Sequence, residues 1–111
     1  MSLIINGQNK EYIELKKGEV KRFTFRYSLD ISSTVFHLGI KENYSDTQYK
    51  LEVQNADFDR TEIDDNKIKA IIDTSDLDKD TIYIMEIKAT WSDPTLVDKT
   101  EDIKIKILNT L

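Results

Sequence analysis

The chain has 111 residues, one domain's worth, and Leu, Ile, Val and Phe supply 32 of them, which excludes a disordered chain although 33% of all residues are charged. Fifteen Ile against three Ala argues against an all-α fold, and the absence of Cys excludes disulfides, a thiolate nucleophile and a Cys-ligated zinc. The net charge of −5 is uneven, +3 over residues 1–27, −7 over 28–80 and −1 over 81–111, and without a long basic run neither nucleic acid nor an anionic membrane is an expected partner.

Period-2 alternation dominates the sequence. Ile13 and Leu15 alternate with Tyr12, Glu14 and Lys16 until Lys17-Gly18 breaks the run. Phe23, Phe25 and Tyr27 then alternate with Arg22, Thr24 and Arg26, a strand with aromatics inward and a basic outer face. After a loop at Asp30 to Ser33, Phe36, Leu38 and Ile40 alternate with Val35, His37 and Gly39. A polar connection from Lys41 to Thr47 leads to a fourth strand with Tyr49, Leu51 and Val53 inward, followed by a turn-rich link from Gln54 to Arg60. The Asp64-Asp65-Asn66 turn opens a fifth strand, with Ile68, Ala70 and Ile72 facing in. Asp73 to Asp80 is not strand. Tyr83, Met85, Ile87, Ala89 and Trp91 share one face of the sixth, opposite Ile82, Ile84, Glu86, Lys88 and Thr90. Pro94 marks a loop before the last strand, in which Ile103, Ile105 and Ile107 alternate with Asp102, Lys104 and Lys106.

Seven short strands with turns between them predict an all-β fold, an immunoglobulin-like antiparallel β-sandwich of about seven strands filling residues 1–111 as a single domain. Its expected core contains Phe23, Phe25, Phe36, Leu38, Leu51, Ile72, Met85, Ile87, Ile103 and Ile105. No apolar run reaches the length of a membrane span, and no basic region with a long apolar stretch opens the chain, so a soluble protein is expected.

Leu77, Thr81, Tyr83, Met85, Ile87 and Ala89 have a spacing that resembles the corner entering strand F of fibronectin type III domains. There a Tyr lays its ring on the core while its hydroxyl satisfies a backbone group of the preceding loop. More widely, "IELKKGEVKRFTFRYSLD", "VFHLGIKEN", "KIKAIIDTSDLDKDTIYIMEIKATW" and "VDKTEDIKIKIL", in that order, resemble the small immunoglobulin-like modules of tailed-phage and prophage virions. Gly18-Glu19 stands for that family's Gly-Asp entry into its second strand, Ile40-Lys41 ends the third, and Leu77 to Ile87 supplies the corner. Asp80-Thr81-Ile82 and Glu101-Asp102 depart from the family's Gly before the Tyr and before the last strand. The resemblance implies a baseplate, neck or tail-accessory position in a virion, with no catalytic residue among the matched positions.

The residues offer little chemistry. His37 stands alone, and without a second His or any Cys it builds neither a triad nor the usual zinc site. Ser28, Ser32, Ser33, Ser45, Ser75 and Ser92 fall in loops and lack a base. Asp76-x-Asp78-x-Asp80 opens like a calcium loop, but Thr81 and Ile87 stand where an EF-hand needs Gly and Glu; capping of a short helical turn by Asp73 or Thr74 is the better account, with a weak calcium site shared with Asp73, or with Asp57 and Asp59, as its alternative. With only Gly7, Gly18 and Gly39 there is no phosphate loop. No enzyme, cofactor or metal is therefore expected. Tyr12, Tyr44 and Trp91 are the available platform for a glycan, which makes surface adhesion or glycan binding the alternative to a structural or assembly module. For the module, the outward Val35 and His37 on one strand and Ile82 and Ile84 on its expected neighbour predict an apolar patch for protein contacts, with a second copy or with a larger assembly.

Overall fold

The computed structural model describes residues 3–5, 8–10, 12–93, 95–96 and 98–109, with backbone alone at 3–5, 8–10 and 99. Nine strands follow in chain order: β1 (Leu3–Ile5), β2 (Gln8–Lys10), β3 (Tyr12–Lys16), β4 (Val20–Arg26), β5 (Val35–Lys41), β6 (Leu51–Val53), β7 (Lys67–Asp73), β8 (Thr81–Thr90) and β9 (Lys99–Leu108). Single 3₁₀ turns occupy Asn55–Asp57, Ile63–Asp65 and Thr74–Asp76. The seven expected strands are present, and two short ones precede them. Among the described residues no helix is long and apolar enough to cross a membrane.

The strands form an all-β sandwich with an immunoglobulin-like order. One sheet runs β2-β1-β4-β7 and the other β3-β9-β8-β5-β6, so the second and fifth of the seven expected strands pair in one sheet while the third, sixth and seventh lie together in the other. Every pairing is antiparallel except β3 with β9, which run parallel from Tyr12↔Lys104 to Lys16↔Leu108. The chain changes sheets between β3 and β4 at Gly18, whose φ of 89° suits a residue without a Cβ. Lys17 ties that turn down: its N–H donates to the Leu108 carbonyl at 2.9 Å, and its Nζ donates to the Ser75 and Leu77 carbonyls at 2.8 and 2.6 Å.

The core lies between the inward faces. Phe23 and Phe25 on β4 with Ile68, Ala70 and Ile72 on β7 face Phe36, Leu38 and Ile40 on β5, Tyr83, Met85, Ile87 and Ala89 on β8, and Ile103, Ile105 and Ile107 on β9. Of the ten residues expected in the core only Leu51 is half-buried, because it opens the three-residue edge strand β6. Two loop residues join them unexpectedly. Ile31 is wholly buried in the connection after β4, and Phe58 is buried in the link after β6, with its ring 5.7 Å from that of Phe36. Alternation cannot find such residues, since loops have no period.

Candidate functional site

The four residues expected to share an apolar patch sit on the outer face of the larger sheet, and the register takes them apart. Val35 faces Thr90 and His37 faces Lys88, whereas Ile84 faces Lys41 at the other end of β5, with Ile82 beyond it. Val35 and Ile82 are each 52% exposed, at opposite ends of the β5–β8 pair. Ile84 is only 5% exposed despite its outward parity. In the register it lies between Lys41 and Lys104. Lys41 is itself buried, its Nζ donating to the Tyr44 carbonyl at 3.1 Å and lying 3.6 Å from Glu86 Oε2, so its stem runs beside Ile84. The expected patch is thus corrected to two isolated apolar side chains and one covered one.

What fills the middle of that face is a polar network. Tyr49, expected inward as part of the fourth strand, lies outside it, because the chain bends at Lys50 and alternation begins afresh at Leu51. The Tyr49 ring occupies the space that a side chain at Gly39 would need. Its hydroxyl donates to Glu86 Oε1 at 2.9 Å, its ring centroid lies 5.2 Å from that of His37, and the Lys41 ammonium sits 5.7 Å from it. Burial first, and then the hydrogen bond to Glu86, raise the Tyr49 hydroxyl above its ordinary pKa. His37 Nε2 lies 2.9 Å from Glu52 Oε2, and Gln54 Nε2 donates to the same oxygen at 2.8 Å; the bond with His37 is the main reason the Glu52 carboxyl is held below the usual range. The lone histidine is therefore a clasp between β5 and β6.

The corner residues lie at the Thr81 end of β8, the end at which Ile84 faces Lys41. Tyr83 is fully buried, and its hydroxyl accepts the Asp78 backbone N–H at 2.9 Å, one residue beyond the buried Leu77. Thr81 Oγ1 donates to the Lys79 carbonyl at 3.2 Å. Asp80 has φ 60°, the left-handed conformation that Asp tolerates better than most residues. In the preceding turn Asp73, rather than Thr74, is the cap, accepting the Ser75 N–H at 2.9 Å. Thr74 donates instead to the carbonyls of Lys16 and Glu19 and ties the turn to the β3–β4 connection. Among the described residues no group of three or more His, Asp or Glu is arranged to hold a metal ion.

The expected aromatic platform is also taken apart. Trp91 is buried, its ring packed edge-on against Tyr27, and its Nε1 donates to the Asp30 carbonyl at 2.8 Å. Tyr12 and Tyr44 are exposed, but Tyr12 lies on β3, at the far edge of the sheet from the β5–β6 connection that carries Tyr44. Parity does not distinguish a covered strand end from an open one, and the loop at Asp30 covers Trp91.

The smaller sheet offers a different surface. Arg22, Thr24 and Arg26, the basic outer side of β4, lie against Ile71, Lys69 and Lys67 of β7 in register. Val20 and Ile71 are 60% and 54% exposed there. Lys69 pairs with Glu62 at 3.2 Å. Asp59, which bridges to the free edge of β7, has its carboxyl held low by hydrogen bonds from Thr61 and further by Lys69 and Arg22. Among the described residues Arg26 and Lys67 form no ion pair. The basic half of this face was legible in the alternation of β4; its continuation onto β7 required the pairing. No family model matches the chain, and a search of the curated proteins returns no match.

Proposed function

We propose that this domain is a non-enzymatic structural or assembly module that works by protein contact, of the kind found in phage or prophage baseplates, necks and tail accessories. The observation that carries this reading is where the reactive side chains are used. Tyr83, Thr74, Trp91, Lys17 and His37 each hold one part of the frame to another. Such a frame keeps its surfaces in fixed relation, as a spacer or docking unit requires. The virion part of the reading rests on the sequence resemblance described above.

The test is mass spectrometry of particles induced from the organism that encodes the chain and purified through a density gradient. Recovery of the chain in a fixed ratio to the major tail protein is expected. Its recovery only outside the particle fraction overturns the virion assignment. Capture on a glycan array would instead favour surface adhesion.

A further inference from the structure

The outer face of the β4–β7 ribbon is cationic on a protein whose net charge is −5. Arg26 and Lys67 form one row across it, Thr24 and Lys69 the next, Arg22 and Ile71 the third, and Val20 and Asp73 the last. Asp73 is engaged in its cap with Ser75 and Lys69 in its pair with Glu62, which leaves Arg22, Arg26 and Lys67 as cations available to a partner, with Asp59 near Arg22. The exposed Val20 and Ile71 lie diagonally across from each other beside Arg22, an apolar centre with a charged surround, as docking surfaces have. The ribbon is also rigid, because Phe23, Phe25, Ile68, Ala70 and Ile72 anchor its other side in the core.

The same chain carries the complementary charge elsewhere. Beyond the end of β7 the connection to β8 exposes Asp76, Asp78 and Asp80, none of them in an ion pair among the described residues; Lys79 lies between the last two and the Lys17 ammonium sits on the Ser75 and Leu77 carbonyls, so the loop carries an excess of acid rather than acid alone. That loop follows Asp73, at the end of the ribbon opposite the Arg26–Lys67 row, and Thr74 ties it to the β3–β4 connection, so within one molecule the loop does not meet that row. Two molecules can bring them together.

We propose that the β4–β7 face binds the acidic β7–β8 loop of a second copy of this chain, head to tail. This deepens the assembly reading above by naming the partner. Because the donor and acceptor surfaces differ, the contact is heterologous, and each copy retains one free surface of each kind for further neighbours. The contact is small and largely ionic, so it is weak in solution and screened by salt, the Debye length being about 10 Å at 0.1 M.

Sedimentation equilibrium of the whole chain, at low and high salt and up to about 1 mM, the range in which a weak contact becomes half-occupied, tests it. The wild type is expected to exceed its monomer mass of 13.0 kDa with rising concentration at low salt and to return toward it at high salt. Arg22→Glu/Arg26→Glu and Asp76→Lys/Asp78→Lys each alter exposed side chains and are each expected to stay monomeric. Their equimolar mixture pairs an intact loop with an intact face, and also the two charge-reversed surfaces with each other, so association is expected to return above that of either variant alone. Unchanged thermal midpoints in both variants establish that neither result comes from unfolding. A wild type that is monomeric throughout, undiminished association of the Arg22→Glu/Arg26→Glu variant, or a mixture that stays monomeric overturns the proposal. A chain found in particles yet monomeric in this assay loses the head-to-tail contact and keeps the assembly reading.

Discussion

At the scale of single residues, a few polar groups do structural work out of proportion to their number. Tyr83 is the clearest, since its hydroxyl is the partner of the Asp78 N–H in a part-buried corner. Tyr83→Phe keeps the ring and removes the acceptor, and the midpoint of urea unfolding is expected to fall by the equivalent of about 1–3 kcal/mol, the cost of an orphaned donor. The exposed carboxylates of Asp30, Asp59, Asp73 and Asp93 repeat one device, accepting the backbone N–H two residues on, from Ser32, Thr61, Ser75 and Thr95. Those bonds favour the charged form and hold all four below the ordinary carboxylate pKa. A group whose pKa is lower folded than unfolded stabilises the protein above its unfolded value and ceases to do so as pH falls through the folded one. The thermal midpoint is therefore expected to drop as pH falls below about 4. Changing all four Asp to Asn keeps an acceptor and removes the titration, so the acid limb of midpoint against pH should become shallower; an unaltered limb would place acid sensitivity elsewhere.

At the scale of elements, β5 shows why a strand's outward face cannot be read as a simple list of exposed residues. Gly39 has no side chain where the Tyr49 ring lies, and the ring in turn organises Glu86, Lys41 and His37. A methyl group added by Gly39→Ala would fall within that ring and displace it. We expect a loss of about 1–3 kcal/mol from overpacking, although Ala suits a strand better than Gly. Tyr49→Ser removes the ring, and in that background Gly39→Ala should cost almost nothing. Chemical denaturation of the four proteins in this cycle measures the coupling, and additive effects would show that the ring and the glycine are independent. The burial of Ile84 has a similar origin in its cross-strand neighbours, Lys41 above all.

At the scale of the whole molecule, stability comes from the interdigitation of the two inner faces and the closure of one end by loops. Phe36 sits where these meet: its ring lies 5.6 Å from that of Tyr27 and 5.7 Å from that of Phe58, the Arg60 guanidinium is 5.5 Å from it, and its N–H donates to Asn55 Oδ1 at 2.9 Å. Arg60 hydrogen-bonds the same Asn55 oxygen and donates to the Thr34 carbonyl at 3.3 Å, so one cluster joins β5 to the link between β6 and β7. Phe36→Ala is expected to cost about 3–5 kcal/mol, a large part of the stability of a domain this size. Tyr27 tests the same closure from the alkaline side. Burial, with a smaller effect from Glu101, raises its hydroxyl well above the ordinary tyrosine value, so the folded state favours the neutral phenol. That contribution is complete below the unfolded pKa of about 10 and is lost as pH rises beyond it, and Tyr27→Phe should flatten the alkaline fall in thermal midpoint.

Alternation in the sequence determined the inward residues of β4, β5, β7, β8 and β9, because a strand's side chains change sides at every residue whatever lies beside it. It determined the turns at Gly18 and at Asp64-Asp65-Asn66 for an equally local reason, the backbone conformations those residues accept. The basic side of β4 was legible on the same grounds. Only the tertiary structure decided that β3 runs parallel to β9, that Val35 and Ile82 lie at opposite ends of their strand pair, that Tyr49 folds over Gly39, and that Trp91 and Ile31 are covered. Each of these depends on which distant segment comes alongside and in what register. Period and composition carry no information about that, because the same inward faces can be buried by more than one pairing.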